Sequence, residues 1–213
     1  MGQGEPLTMK LMYAPQSPFA RKVRIAAIEL GLDSQIELVL QAVAPAKENA
    51  EYAATVNPLR KIPALLLDDG RVLYDSTVIC EYLDDLAGGG QIIPAPGPDR
   101  WDVLTQHALA QGMMDSAVLV RYETFLRPEE YRWPGYVDDQ WDRIESGLDW
   151  FEAHAKGLEG PANITHFALG CLLGYLDFRW PDAGWRDGRP RLTNWSKWIA
   201  RRDCFRKTEP TDL

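Results

Sequence analysis

Asn57-Pro-Leu-Arg-Lys-Ile-Pro63-Ala-Leu65 places two prolines and a basic pair directly ahead of an apolar run. Pro58 and Pro63 have no backbone N–H and hold their predecessors extended, so the segment reads as a loop feeding a strand. Past it, residues 64–67 and 71–74 form two strand candidates joined through Asp68-Asp69-Gly70, and Asp-Gly is a strong hairpin signal. Ile79, Tyr82, Leu83 and Leu86 then recur at i, i+3, i+4 and i+7, which predicts a helix. Upstream, residues 45–56 are alanine-rich and weakly helical, and Ile36–Leu40 is a partly alternating strand. Val23, Ala26, Ala27 and Leu30 share one helical face, with Gly31 where a glycine usually follows a helix. A short strand, Met9–Tyr13, runs into Ala14-Pro-Gln-Ser-Pro18. The order is βαβ, a connecting segment, then ββα.

Ala87-Gly-Gly-Gly-Gln-Ile-Ile-Pro-Ala-Pro-Gly-Pro98 is the one sharp break in composition. A glycine cluster followed by three prolines cannot continue a helix and reads as an interdomain linker. Beyond it nearly everything is helical. Residues 99–126 run from an Asp99 N-cap to Arg127-Pro128, and 138–156 carry Trp141, Ile144, Leu148 and Phe151 at near-helical spacing. Residues 163–180 are apolar all round, as in a central buried helix, and 193–202 form a last amphipathic helix. The expected division is an extension or cloning scar at 1–8, an α/β domain at 9–87, a linker at 88–98 and an all-helical domain at 99–213.

With 46 % apolar and 25 % charged residues, the chain is not intrinsically disordered, and no run approaches the ~18 apolar residues of a membrane span. The polar start lacks the pattern of a signal peptide. A formal charge of −8 argues against a nucleic-acid partner; the one dense basic cluster is Arg201, Arg202, Arg206 and Lys207, with Asp203 inside it. Cys80, Cys171 and Cys204 are far apart and odd in number, which predicts free thiols in a reducing, cytoplasmic setting. His107, His154 and His166 stand at no metal-ligand spacing, so no metal is expected.

Four stretches, in order and at consistent intervals, resemble the glutathione S-transferase family over nearly the whole chain from Met9. They are Ser17-Pro18-Phe19 with Arg21-Lys22-Val23-Arg24, Asn57-Pro58 to Ile62-Pro63, Tyr74-Asp75-Ser76, and Ala168-Leu-Gly-Cys-Leu-Leu-Gly-Tyr-Leu-Asp-Phe-Arg179, the last typical of bacterial members. The resemblance implies a thioredoxin-like N-terminal domain plus an all-α C-terminal domain. It also implies glutathione as co-substrate, a small apolar electrophile, and a homodimer.

Read on its own, Ser17 is an N-cap ahead of a proline at the first helical position. The same geometry offers free N–H groups and a positive dipole end to an anion. The resemblance makes that anion the glutathione thiolate, with Ser17 donating to it; Tyr13, closing the first strand, is the competing hydroxyl. A serine here favours activating a bound thiol over the mixed-disulfide chemistry a cysteine would allow. By resemblance, Phe19 also belongs to the glutathione site, Ile62-Pro63 is a cis turn whose Ile62 backbone pairs with the cysteinyl residue, and Lys61 meets the glycyl carboxylate. Asp75-Ser76 reads alone as a turn and cap; by resemblance Ser76 holds the γ-glutamyl carboxylate and Asp75 its ammonium. Met113, Met114, Tyr122 and Trp180 are candidates for the electrophile pocket that also suit a core. Asn163-Ile-Thr-His166 departs from the usual Ser/Thr-x-x-Asp capping box, and His166 reads as a core histidine. Two further classes share these features: a non-catalytic glutathione-binding or protein-interaction module, and a glutathione-dependent reductase or peroxidase.

Overall fold

The computed structural model describes residues 9–212, so the expected extension at 1–8 lies outside the described residues. Strand β1 (Met9–Tyr13) leads through Ala14–Ser17 into helix α1 (Pro18–Glu29), and β2 (Ile36–Leu40) returns parallel to β1 with Leu11 opposite Leu38. Of the weakly helical stretch only α2 (Ala50–Thr55) winds. Strands β3 (Ala64–Leu66) and β4 (Val72–Leu73) form the expected hairpin, and α3 (Ser76–Leu86) follows. The sheet order is β2-β1-β3-β4, with β1 antiparallel to β3.

Leu11 and Leu65, paired across β1 and β3, are fully buried against Val23, Ile25 and Ala26 of α1 and Ile79 and Leu83 of α3. Each such side chain contributes about 1.5–3 kcal/mol relative to exposure. This is a thioredoxin-like unit.

The helical part comprises α4 (Pro98–Arg121), α5 (Pro134–Ala153), α6 (Ile164–Arg179), α7 (Pro190–Ile199) and the short α8 (Asp203–Arg206). Helix α6 is buried continuously from Ile164 through Leu173, the central helix its apolar circumference predicts. It packs on α1, and Gly174 makes room there: a Cβ at this position would lie 2.3 Å from Arg21 Nη1. Arg21 uses the space to donate from Nη2 to the Phe205 carbonyl at 3.2 Å.

One local expectation changes. Asp99 is not the cap of α4; Gly97 is, and Pro98 takes the first helical position, where its fixed φ fits and its missing N–H costs nothing. Asp99 sits in the first turn instead, still facing the positive end of the helix. His166 is the core histidine expected, 2 % exposed, and it also closes a capping box: the Asn163 N–H donates to His166 Nδ1 at 3.2 Å while His166 Nε2 lies 3.2 Å from the Leu158 carbonyl.

The glycine–proline stretch after α3 is tied down. Asp84, 4 % exposed, accepts from the N–H groups of Gly90 (2.9 Å), Gln91 (3.0 Å) and Ile92 (2.8 Å). Gly88, Gly89 and Gly90 all have positive φ, which lets the chain curl around that carboxylate. Ile92 and Ile93 are buried beyond it, and the Ile92 carbonyl accepts from Ile164 N–H at 3.0 Å.

Two of the four residues of the basic cluster near the C-terminus are ion-paired within the chain. Arg202 pairs with Glu29 of α1, and Arg206 with Asp203.

Candidate functional site

The sheet register gathers the predicted residues at one end. β1 pairs Met12 with Ala64 and β3 pairs Leu65 with Leu73. Tyr13 closes β1, Pro63 immediately precedes β3 and Asp75 follows β4 by two residues, so all three lie at one end of the sheet. The start of α1 follows directly from β1 and the start of α3 directly from β4, so both helix N-termini open at this edge.

Ser17 caps α1: its Oγ accepts from Ala20 N–H at 3.2 Å, leaving the hydroxyl proton free to donate. The Phe19 ring is half-buried against the core, and its backbone N–H has no acceptor among the described residues. The Tyr13 ring lies 5.3 Å from the Arg24 guanidinium.

Ile62–Pro63 is cis. The turn is held from below: the Lys61 carbonyl accepts from Tyr52 Oη at 3.0 Å and Asn57 Nδ2 at 2.9 Å, and Asn57 Oδ1 accepts from Leu59 N–H at 3.0 Å. Burial pushes the Tyr52 phenol up to about 12, so it stays a donor. The Lys61 side chain is exposed, and the Ile62 backbone N–H and carbonyl make no hydrogen bond among the described residues.

Asp75 caps α3 by accepting from Thr77 N–H at 2.9 Å. Ser76 is 1 % exposed, and its Oγ is buried with no partner among the described residues. A buried hydroxyl at a helix N-terminus fits an anionic group there.

Residues 16–86 match the family described as glutathione S-transferase, N-terminal domain, and 134–197 the glutathione S-transferase, C-terminal domain. The chain is 30 % identical over 208 residues to the uncharacterized GST-like protein YibF of Escherichia coli K12, covering 95 % of this chain and 98 % of that protein. This chain belongs to the glutathione S-transferase family. Its fold matches a family member from Pseudomonas fluorescens Pf-5 crystallised with bound glutathione (TM-score 0.91, 41 % identity, 96 % of this chain and 100 % of that one). A glutathione S-transferase from Methylobacillus flagellatus with glutathione bound gives TM-score 0.84 at 34 % identity, again over 96 % and 100 % of the two chains.

Within this transferase fold the electrophile candidates separate. Met113 and Met114 are core, with Met113 filling the space beside Gly147. Trp180 stands edge-on to Trp141 (centroids 5.2 Å apart) in the wall of a concavity of about 520 Å³. A second, of about 550 Å³, lies between Gln106, Trp150 and Arg191. Neither is lined by Ser17, Ile62 or Ser76, so the predicted chemistry sits away from both.

All three cysteines are free and buried, and burial pushes the thiols up, Cys80 to about 11 and Cys171 to about 12. Burial does the same to Cys204, also to about 12, helped by a Glu29 carboxylate 2.9 Å from its sulfur. None is a ready nucleophile. Among the described residues no group of three or more His, Cys, Asp or Glu is placed to hold a metal ion, and no helix is long and apolar enough to cross a membrane.

From the sequence, Lys22 stood only inside a family motif, and Gln111 and Asp115 carried no role. Lys22 of α1 is completely buried, with its ammonium 2.8 Å from Gln111 Oε1 and 3.0 Å from His107 Nε2. Asp115, farther along α4, has its carboxyl raised by desolvation first, with Lys61 opposing that shift and Asp75 adding to it. The available signal was a lysine three and four residues before the buried Ile25 and Ala26.

His107 carries a pH consequence. Burial, and then the Lys22 cation, lower it from 6.5 to about 3, so the folded protein keeps it neutral while the unfolded chain protonates below about 6.5. Its contribution is complete above that pH and is lost as pH falls from 6.5 toward 3, at about 1.4 kcal/mol per pH unit. Denaturant titrations at pH 7 and pH 5 should show the lower stability at pH 5, and His107→Gln should flatten the difference. An unaltered difference in the variant would assign the proton uptake to another group.

Proposed function

We propose that the protein is a glutathione transferase that stabilises the thiolate of bound glutathione for attack on a small hydrophobic electrophile. The observation that carries the reading is the free hydroxyl proton of Ser17 at the α1 N-terminus, at the same sheet edge as the open Ile62 backbone and the partnerless Ser76 Oγ. In this reading Ile62 pairs its N–H and carbonyl with the cysteinyl residue as an added strand would. Ser76 and the α3 N-terminus take the γ-glutamyl carboxylate, Asp75 takes the ammonium, and Lys61 meets the glycyl carboxylate. The Phe19 N–H adds to the positive end of α1.

On binding, the thiol proton leaves to solvent. Ser17 donates its hydroxyl hydrogen to the sulfur, whose lone pair forms the S–C bond as the leaving group departs with its electron pair. An ordinary thiol titrates near ~8.5, and each unit of lowering corresponds to about 1.4 kcal/mol of preference for thiolate. The three buried cysteines, pushed up rather than down, favour this chemistry over a reductase or peroxidase working through a protein thiol. Homodimeric assembly and a cytoplasmic setting belong to the proposal through family membership.

The direct test is an ultraviolet titration of thiolate absorbance for glutathione with and without protein. The proposal expects a midpoint well below that of free glutathione. Saturable binding with an unshifted midpoint would replace the enzyme with a binding module.

Asp75→Asn gives a narrower check. Asparagine keeps the α3 cap, so thermal stability should change little, whereas loss of the charge facing the γ-glutamyl ammonium should raise the glutathione dissociation constant by about tenfold. Calorimetry and a melting curve on the same sample read both. An unchanged dissociation constant would leave Asp75 a cap only.

A further inference from the structure

Lys22 is the one fully buried lysine among the described residues, five positions past Ser17 in α1. Its ammonium meets neutral acceptors: Gln111 Oε1 at 2.8 Å, His107 Nε2 at 3.0 Å and Thr77 Oγ1 at 3.4 Å. Among the described residues no carboxylate bonds to it directly. Burial lowers its pKa first of all, and the electrostatic influence of Cys80, Asp75, Cys171 and Asp115 opposes that shift. Taking an ammonium out of water without a bonded counter-ion is strongly unfavourable. Beside it lies a second unmet group: Ser76, adjacent in sequence to the Thr77 that Lys22 touches, holds its Oγ buried with no partner. An anion at the start of α3 would answer both.

We propose that Lys22, clamped by His107 and Gln111 of α4, is a positioning residue for the carboxylate of the γ-glutamyl group, adding a buried positive charge beneath the Ser76 anion site and making that site depend on the helical part of the chain. The inference rests on the glutathione reading above. Lys22 acts through Thr77 and through its field; the ligand touches Ser76. The α1–α3 junction thus selects for a ligand bearing a free carboxylate at this end, and the residues enforcing the selection come from both halves of the molecule.

The experiment compares two ligands by calorimetry: glutathione, and 4-aminobutanoyl-cysteinyl-glycine, the same tripeptide frame without the γ-glutamyl carboxylate. Wild type should prefer glutathione. Lys22→Met should cut that preference by about tenfold, chiefly by weakening glutathione. Gln111→Glu keeps the side-chain volume and places a carboxylate within bonding distance of the ammonium; it should cut the preference similarly. If Lys22→Met fails to fold, Gln111→Glu decides the matter alone. Loss of affinity for both ligands by one common factor, with the preference intact, would reduce Lys22 to a packing role and overturn the proposal. A wild-type protein that binds neither ligand would overturn the glutathione reading itself, before any variant is made.

Discussion

Ser17→Ala is expected to lower turnover about 10²–10³-fold with an activated aryl halide while leaving glutathione affinity nearly unchanged. The reason lies in what the hydroxyl does in each state. In the free protein its oxygen accepts from Ala20 N–H at 3.2 Å, and its proton donates to no acceptor among the described residues. In the proposed site, binding of the tripeptide draws on the Ile62 backbone, Lys61, Asp75 and Ser76, none of which the substitution disturbs. Under the same proposal only the sulfur, as it becomes a thiolate, requires the Ser17 proton. Losing the cap also costs about 1 kcal/mol of stability, which a melting curve will register separately. Turnover should fall together with an upward return of the thiolate midpoint in the ultraviolet titration. Unchanged turnover would take the role from Ser17 and pass it to Tyr13 or to a backbone N–H at the start of α1.

Asp84→Ala is expected to destabilise the fold by about 3–5 kcal/mol, since three N–H groups lose one charged acceptor and each such bond contributes about 1.5–3 kcal/mol, part of which water recovers at the exposed Gly90 and Gln91. The Ile92 N–H is buried and has no such relief. The loss would free the strap that seats Ile92 and Ile93 and holds the start of α6 through Ile164. Denaturant unfolding measures the effect, and Asp84→Asn, with one acceptor oxygen left, should fall between. A cost under about 1 kcal/mol would mean that burial of the two isoleucines alone fastens the strap.

Much of the N-terminal unit was legible because its signals are local. The i, i+3, i+4, i+7 spacing of Val23, Ala26, Ala27 and Leu30, and the Asp-Gly turn between β3 and β4, each report on neighbours within a few residues. Ser17 ahead of Pro18 declared its cap for the same reason. The start of α4 was misread by two residues because proline at 98 and aspartate at 99 both suit a helix opening, and only one can hold the first position. The linker was legible as a break but not as a fastened strap, since Asp84 looks like any polar residue near a helix end until the three N–H groups fold back onto it. His166 was read as a core histidine and is 2 % exposed, while the capping box that its Nδ1 completes shows only in the fold.

The sequence by itself determined the element order, the two helix N-termini that open at the sheet edge, and the family to which the chain belongs, because each depends on residue types at short, fixed intervals. Tertiary structure alone decided that Lys22 is buried among acceptors 55, 85 and 89 positions away, that Ser76 Oγ is left without a partner, and that the glycine–proline stretch is clamped by Asp84. Those facts depend on which distant backbones close around a side chain and exclude water from it, and no periodicity along the chain records that closure.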